Sequence, residues 1–327
     1  MSSRNPSSNK KSAAIAGAGK ASQKNRKLVG RATSSINQAL LPLPEDRLAA
    51  LRQFLDPVIG QVEVPEYIAT DPVAFMHRYD ETEDRNLAGF LAAIMAWGRR
   101  DIVMAKVGNL LERFGTSPAD FIGNMGPADE LRIEGFRHRT FTADDVRWIL
   151  RALSRILKNY GAFEMFWQDC HQEALKPAGF RTGASPGTTN QHLLLSEFHN
   201  RFFELIPDAP VRVRKHLASP DKNSSCKRLW LFLRWTIRQN SCVDPGTMTF
   251  IPASELMIPL DVHVARYARM FGLLTRPAND WKALKELTFR LQLMDLSDPA
   301  KYDYALFGLG VRDIPIPDEF IVNPADG

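Results

Sequence analysis

The sequence is poor in cysteine and has no long apolar run. Its three cysteines, Cys170, Cys226 and Cys242, are too few for a disulfide framework and indicate a reducing compartment. They also cannot supply the four thiolates that ligate an iron–sulfur cluster. No run of eighteen apolar residues is present, so we predict no membrane-spanning helix. No leading apolar segment indicates a secretory signal.

Metal-binding motifs and β-strand signals are absent as well. Neither CxxC nor HExxH occurs, and we expect no metal and no other cofactor. No segment shows sustained alternation of apolar and polar residues, and no hairpin signal of the Asn-Gly or Asp-Gly type appears. From Pro44 onward, apolar residues such as Leu48, Leu51 and Leu55 recur at helical spacing instead. The sequence therefore predicts an all-α fold with about ten or more helices.

Acidic residues are missing from the first 44 residues, which contain eight basic ones. The formal net charge of the chain is +5, so subtracting these eight positive charges leaves −3 for the remaining residues. The basic isoelectric point of the chain is therefore due to the N-terminal segment. We expect a disordered basic tail at 1–43, a helical domain at 44–320 with a linker-like insertion at 176–190, and a second tail at 321–327. The basic pairs within residues 10–27 fit a bipartite nuclear import signal or a solvated tail. The predicted location is the nucleus in a eukaryote and the cytoplasm otherwise.

Residues 224–239 read SSCKRLWLFLRWTIRQ, and their apolar residues form a wide helical face. Ser224 or Ser225 can cap this helix, which places Lys227 in its first turn. There the helix dipole disfavours a positive charge, and burial beside the apolar face disfavours it further. Both effects favour the neutral amine, which is the nucleophilic form. An exposed lysine beside a basic loop is the plainer interpretation.

Two further segments place carboxylates on helices. Asp261 follows Pro259 and can cap a helix that Gly272 closes, and a carboxylate fixed there could also stabilise a cation or take a proton from a lysine. Asp303 and Phe307 are four residues apart and so share one helix face. A solvated acid and a core aromatic residue are the plainer interpretations of this pair.

These segments resemble the helix-hairpin-helix DNA glycosylases. The stretch PLDVHVARYARMFGLL resembles the aspartate-bearing segment of that superfamily, and residues 65–312 resemble an uncharacterised conserved domain family within it. The characterised proteins that it is most similar to are archaeal 8-oxoguanine DNA glycosylases. The resemblance implies a glycosylase-like fold with two helical subdomains flanking a cleft. The hairpin departs from the usual pattern, because LASPDKNSSC contains no glycine before Lys227.

The resemblance also implies roles for individual residues. Lys227 matches the nucleophile that forms a Schiff base, and Asp261, thirty-four residues later, matches the acid/base that stabilises the cationic sugar. Asp303 and Phe307 match the acid and the aromatic residue that contact the extruded base. The candidates for a second wall of the base pocket are Trp97 and Trp230. The implied function is removal of 8-oxoguanine with cleavage of the abasic strand in damaged duplex DNA. Independently of the resemblance, we take a monomer as the default and expect no membrane partner.

Basic residues cluster just before and around Lys227. We expect them to bind DNA phosphates, although a solvated loop is equally consistent with the pattern. They are Arg212, Arg214, Lys215, Lys222 and Arg228.

Three alternatives remain open at this point. The chain could be a catalytically inactive DNA-binding relative, which the loss of the hairpin glycines favours. It could be a helical metal-dependent hydrolase that uses His77, Asp261 and His263, or a helical adaptor whose exposed aromatic residues bind protein. A separation of the Lys227 amine and the Asp261 carboxylate by more than about 10 Å would exclude the lysine-dependent enzyme, since proton transfer needs hydrogen-bond contact.

Overall fold

The computed structural model describes residues 43–176, 189–312 and 314–322. Nearly all of the predicted tail at 1–43, most of the predicted insertion at 176–190 and residues 323–327 of the second tail lie outside these ranges. The described residues from Pro44 onward belong to one compact unit. Within the described ranges, no helix is both long and apolar enough to cross a membrane.

The described part of the chain is mostly helical and has almost no sheet, which confirms the all-α prediction. The α-helices are α1 (Glu45–Val62), α2 (Pro65–Ile68), α3 (Thr82–Met95), α4 (Arg100–Glu112), α5 (Pro118–Gly123), α6 (Pro127–Leu131), α7 (Ala143–Tyr160), α8 (Phe163–Leu175), α9 (Asn190–Glu204), α10 (Lys227–Ile237), α11 (Val262–Met270), α12 (Trp281–Met294) and α13 (Tyr302–Val311). Short 3₁₀ helices cover Pro72–Arg78, Val211–His216, Pro220–Lys222, Ala253–Glu255, Pro299–Lys301 and Asp318–Phe320.

The β structure in the described ranges is one antiparallel hairpin and an isolated bridge between Ser224 and Asp280. The strands of the hairpin are β1 (Arg137–His138) and β2 (Phe141–Thr142), and Arg139 in the turn has a positive φ of 52°. The likeness to helix-hairpin-helix glycosylases and the division into two subdomains remain predictions.

The starts of two helices are fixed by side-chain hydrogen bonds of different range. Asp84 does not cap α3 but lies in its first turn, where it accepts hydrogen bonds from the Ser117 hydroxyl at 2.8 Å and the Ala119 amide at 2.7 Å. Helix α7 is capped by Thr142 rather than Asp144, since the Thr142 hydroxyl and the Asp145 carboxylate form a reciprocal capping box.

An aromatic core fixes the position of α10. The rings of Trp167 and Phe198 stack with centroids 3.8 Å apart, and Phe232 of α10 packs edge-to-face on Phe90 of α3 at 5.5 Å. All four side chains are fully buried, which stabilises the fold by roughly 1.5–3 kcal/mol for each large apolar group. The helix that begins at Lys227 is therefore held rigidly.

Helix α13 approaches α1 so closely that only glycine fits at position 308. A Cβ atom there would lie 2.3 Å from Cγ2 of Val62. The same helix packs against α11, which begins directly after Asp261. These contacts bring Asp303 and Phe307 of α13 to the side of the molecule where α11 begins.

Candidate active site

Lys227 and Asp261 form a direct ion pair. The Lys227 Nζ atom lies 3.1 Å from Oδ2 of Asp261, and the lysine side chain keeps 33% of its exposure. Oδ1 of Asp261 accepts hydrogen bonds from the backbone amides of His263 and Val264 at 2.9 and 2.8 Å. One carboxylate oxygen therefore caps α11, as predicted, while the other contacts the amine. The pair satisfies the geometric condition for the lysine-dependent enzyme.

The segment before α10 has no glycine, but some of its residues adopt the left-handed backbone conformation. Cys226 is the N-cap with a φ of 51°, so neither Ser224 nor Ser225 caps the helix as predicted. Asn223 has a φ of 57°, and its amide donates to Asp280 at 3.0 Å. The sequence lacks the hairpin glycines, but the backbone still adopts two of the conformations that glycine favours.

A cavity of about 760 Å³ opens beside the ion pair. Its lining comes from two distant parts of the chain, residues 67–103 and residues 227–311. The predicted residues that line it are Lys227, Asp261, Asp303, Phe307 and Trp97. The edge of the His263 ring meets Phe307 at 6.0 Å between centroids. The carboxylate of Asp303 and the aromatic ring of Phe307 thus line the same cavity, and this combination suits a planar heterocycle.

Trp97 and Trp230 differ in what they can contact. Trp97 lines the main cavity and also a smaller one of about 220 Å³, and Lys227 lines both. Trp230 is fully buried and lines neither cavity. The prediction that Trp230 provides a second wall is therefore corrected, because its ring is committed to the core.

A buried ion-pair network lies beneath Asp303. Arg234 of α10, which is 2% exposed, donates to the carboxylates of Asp303 and Asp244 and to the Tyr304 hydroxyl. Arg238, one turn later, contacts Asp244 and bonds Glu63 at 2.7 Å and Asp298 at 2.8 Å. Burial raises the pKa of Asp303 to about 7, and the nearby Arg234 opposes that rise. Asp303 can therefore change its protonation state near neutral pH.

We expect the unfolding free energy, relative to that of an Asp303→Asn variant, to fall as pH rises from about 4 to about 7. The folded protein holds the Asp303 proton more tightly than the unfolded chain, because its pKa is about 7 rather than the ordinary 3.8. This stabilisation is complete below the ordinary value and is lost as pH rises through about 7. Urea denaturation of both proteins at several pH values measures the difference, and a constant difference would contradict the prediction.

The predicted phosphate-binding residues fall into two groups. Arg212 forms ion pairs with Asp144 and, at 3.0 Å, with Asp145, and Arg228 donates to the Ile94 carbonyl. Burial lowers the pKa of Arg228 to about 10. Arg212 nevertheless remains exposed, and Arg228 is half-buried with one carbonyl contact, so their binding of phosphate stays a prediction. The remaining predicted residues, Arg214, Lys215 and Lys222, have exposed side chains.

Two alternatives lose their support from this geometry. The described part of the chain contains no group of three or more His, Cys, Asp or Glu residues placed to hold a metal ion. His77 contacts the Val243 carbonyl at 2.7 Å and does not line the cavity that contains Asp261 and His263. A large separation of Lys227 and Asp261 would have supported the adaptor, but the two side chains are in contact.

Sequence reasoning missed part of the cavity wall. Tyr67, Asp71 and Arg100 line it from the N-terminal side, and Arg234 supports Asp303 from below. No local pattern marks the first three, because Tyr67 lies in a helix of one turn, Asp71 caps a 3₁₀ helix and Arg100 begins α4. One sequence pattern indicates the buried arginines. It is the helical spacing of Lys227, Arg234 and Arg238, which places them along one stripe that begins on α10.

Comparison with known proteins gives one match. The profile of the family described as "Protein of unknown function (DUF2400)" matches residues 71–312, well over half of the chain. No curated protein and no solved structure matches the chain.

Proposed function

We propose that this chain, which belongs to the DUF2400 family, is a DNA glycosylase that removes a damaged base and cleaves the strand through a Schiff base. The proposed lesion is 8-oxoguanine in duplex DNA. The observation that carries the proposal is the 3.1 Å contact between Lys227 and Asp261 at the wall of a cavity that suits a planar base. A lysine beside a fixed carboxylate is the pair that amine-based covalent catalysis needs.

The first chemical step exchanges one bond at the sugar for another. Lys227 gives a proton to Asp261, and the neutral amine then attacks the anomeric carbon of the sugar. The new carbon–nitrogen bond forms as the bond to the base breaks, and the electron pair leaves with the base. Asp261 returns its proton to the departing base. The Asp261 carboxylate stabilises the positive charge that develops on the sugar.

The second step forms the Schiff base. Asp261 takes a further proton from the attached nitrogen and passes it to the ring oxygen of the sugar as the ring opens. A protonated imine to Lys227 remains. Loss of a proton from the neighbouring sugar carbon then expels the 3′ phosphate, which breaks the strand. No external oxidant or reductant is consumed.

Contacts between the base and the cavity wall offset the free energy that is needed to extrude the base. Taking a base out of the stack costs a few kcal/mol. Phe307 and Trp97 provide aromatic surface against the base, and Asp303 provides a polar group at its edge. The exposed cations Arg214, Lys215 and Lys222 are the predicted phosphate contacts that hold the backbone nearby.

Borohydride trapping on a duplex with a single 8-oxoguanine tests the proposal. The full chain should yield a covalent protein–DNA adduct on this duplex and on a pre-formed abasic site, but none on the undamaged duplex. A small panel of other lesions identifies a different preferred base. Binding of lesion DNA without any adduct would contradict the enzyme and favour the inactive DNA-binding relative.

A further inference from the structure

The guanidinium of Arg100 lies inside the cavity without a hydrogen-bond partner among the described residues. Its Cζ atom is 5.2 Å from the centroid of the Phe307 ring and 5.7 Å from that of Tyr67. The nearest acidic atom is Oδ2 of Asp71, at 4.0 Å, and the arginine side chain is 34% exposed. Half-buried arginines normally satisfy several of their five donors, so these free donors are available to a ligand.

The surroundings hold Arg100 in place but do not satisfy its donors. Oδ1 of Asp71 accepts from the Val73 amide at 3.1 Å, and Oδ2 accepts from the Tyr67 hydroxyl at 3.0 Å. Both oxygens therefore already have closer partners than Arg100. The carboxylate attracts the guanidinium by charge and leaves its donors unbonded. Arg100 also begins α4, so its backbone position is fixed.

We infer that Arg100 is a specificity-determining contact that donates hydrogen bonds to a carbonyl oxygen of the extruded base. This inference rests on the proposed function. The guanidinium is planar, and together with Phe307 it lines the cavity in which the base is proposed to bind. Its donors match a 6-carbonyl group, while Asp303, four residues before Phe307, supplies an acceptor or, when protonated, a donor.

This arrangement selects purines that carry a 6-carbonyl over those that carry a 6-amino group. An amino group is itself a donor and would leave the guanidinium unsatisfied in a partly dry cavity. A backbone phosphate is the other acceptor that arginine binds well. The aromatic rings against Arg100 favour a flat ligand over a tetrahedral one, so we assign Arg100 to the base.

The test measures single-turnover release of 8-oxoguanine and of 8-oxoadenine, together with trapping on a pre-formed abasic site. Relative to wild type, Arg100→Ala should slow 8-oxoguanine release by about 10- to 100-fold, which is the range for one charged hydrogen bond. An abasic site has no base for Arg100 to contact. The reduction in trapping that Arg100→Ala causes there should therefore be at least about tenfold smaller. The preference for 8-oxoguanine over 8-oxoadenine should shrink accordingly.

Two variants control this experiment. Arg100→Lys keeps the charge without the planar fork and should also lose most of the preference. Arg99→Ala removes a neighbouring arginine that is 78% exposed and paired with Asp101, and it should behave as wild type. Two results would make Arg100 a phosphate contact and overturn the inference. One is an equal loss of activity on lesion and abasic DNA, and the other is a decrease of about one in the slope of log binding affinity against log salt concentration. Failure of the proposed function is distinguishable, because wild type would then form no adduct.

Discussion

Replacing Lys227 with glutamine is expected to reduce trapped adduct and base release by about a thousandfold or more. An amide nitrogen is not nucleophilic, and loss of a covalent nucleophile costs at least this much in well-studied enzymes. Glutamine is nearly as long as lysine and has good helix propensity, so α10 should begin at the same place. Gel quantification of the adduct on lesion and abasic duplexes measures the effect.

Lys158→Gln is the matched control for this substitution. Lys158 is an exposed lysine in the last turn of α7, and its replacement should leave adduct formation unchanged. An adduct that persists in Lys227→Gln would show that another amine is the nucleophile. Full loss in both variants would point to an effect on DNA binding rather than on chemistry.

Asp261→Asn separates the two functions of that carboxylate. Asparagine caps helices as well as aspartate does, so α11 should keep its start and the unfolding free energy should change by less than about 1 kcal/mol. The amide can no longer take a proton from Lys227 or stabilise a cationic sugar. We therefore expect base release to fall about 10²- to 10⁴-fold. An unchanged rate would restrict Asp261 to capping.

Replacing Arg234 with methionine is expected to lower the unfolding free energy by about 3–5 kcal/mol. The substitution fills a similar volume but leaves the buried Asp303 carboxylate without its cation, and removing one partner of a buried pair has a cost of this size. Asp244 would still contact Arg238, so the orphaned group is Asp303. Urea denaturation followed by circular dichroism measures the change.

An exposed pair provides the comparison for Arg234. Arg52 contacts Asp56 at 3.3 Å on α1, with side chains that are 50% and 37% exposed. Arg52→Met should change the unfolding free energy by less than about 0.5 kcal/mol, since exposed pairs contribute little. If both variants lost similar stability, the buried network would have no special role in holding Asp303.

Local sequence patterns predicted most of the helical structure and the position of each reactive group on its own helix. Helical spacing of apolar residues identified the all-α class, and Asp261 caps α11 as its position after Pro259 indicates. Lys227 is the first residue of α10. These features depend on neighbours within a few residues, because capping and helix formation are governed by bonds that span about one turn.

Tertiary structure alone decided which of these residues meet. Trp97 and Trp230 are equally plausible from the sequence, but packing buries one in the core and leaves the other at the cavity. Arg212 pairs with Asp144, which is distant in sequence, and Arg100 lies over Phe307 at the far end of the chain. Local patterns cannot predict such contacts. Charge pairing and cavity shape depend on how helices pack, and packing is set by the whole core rather than by one segment.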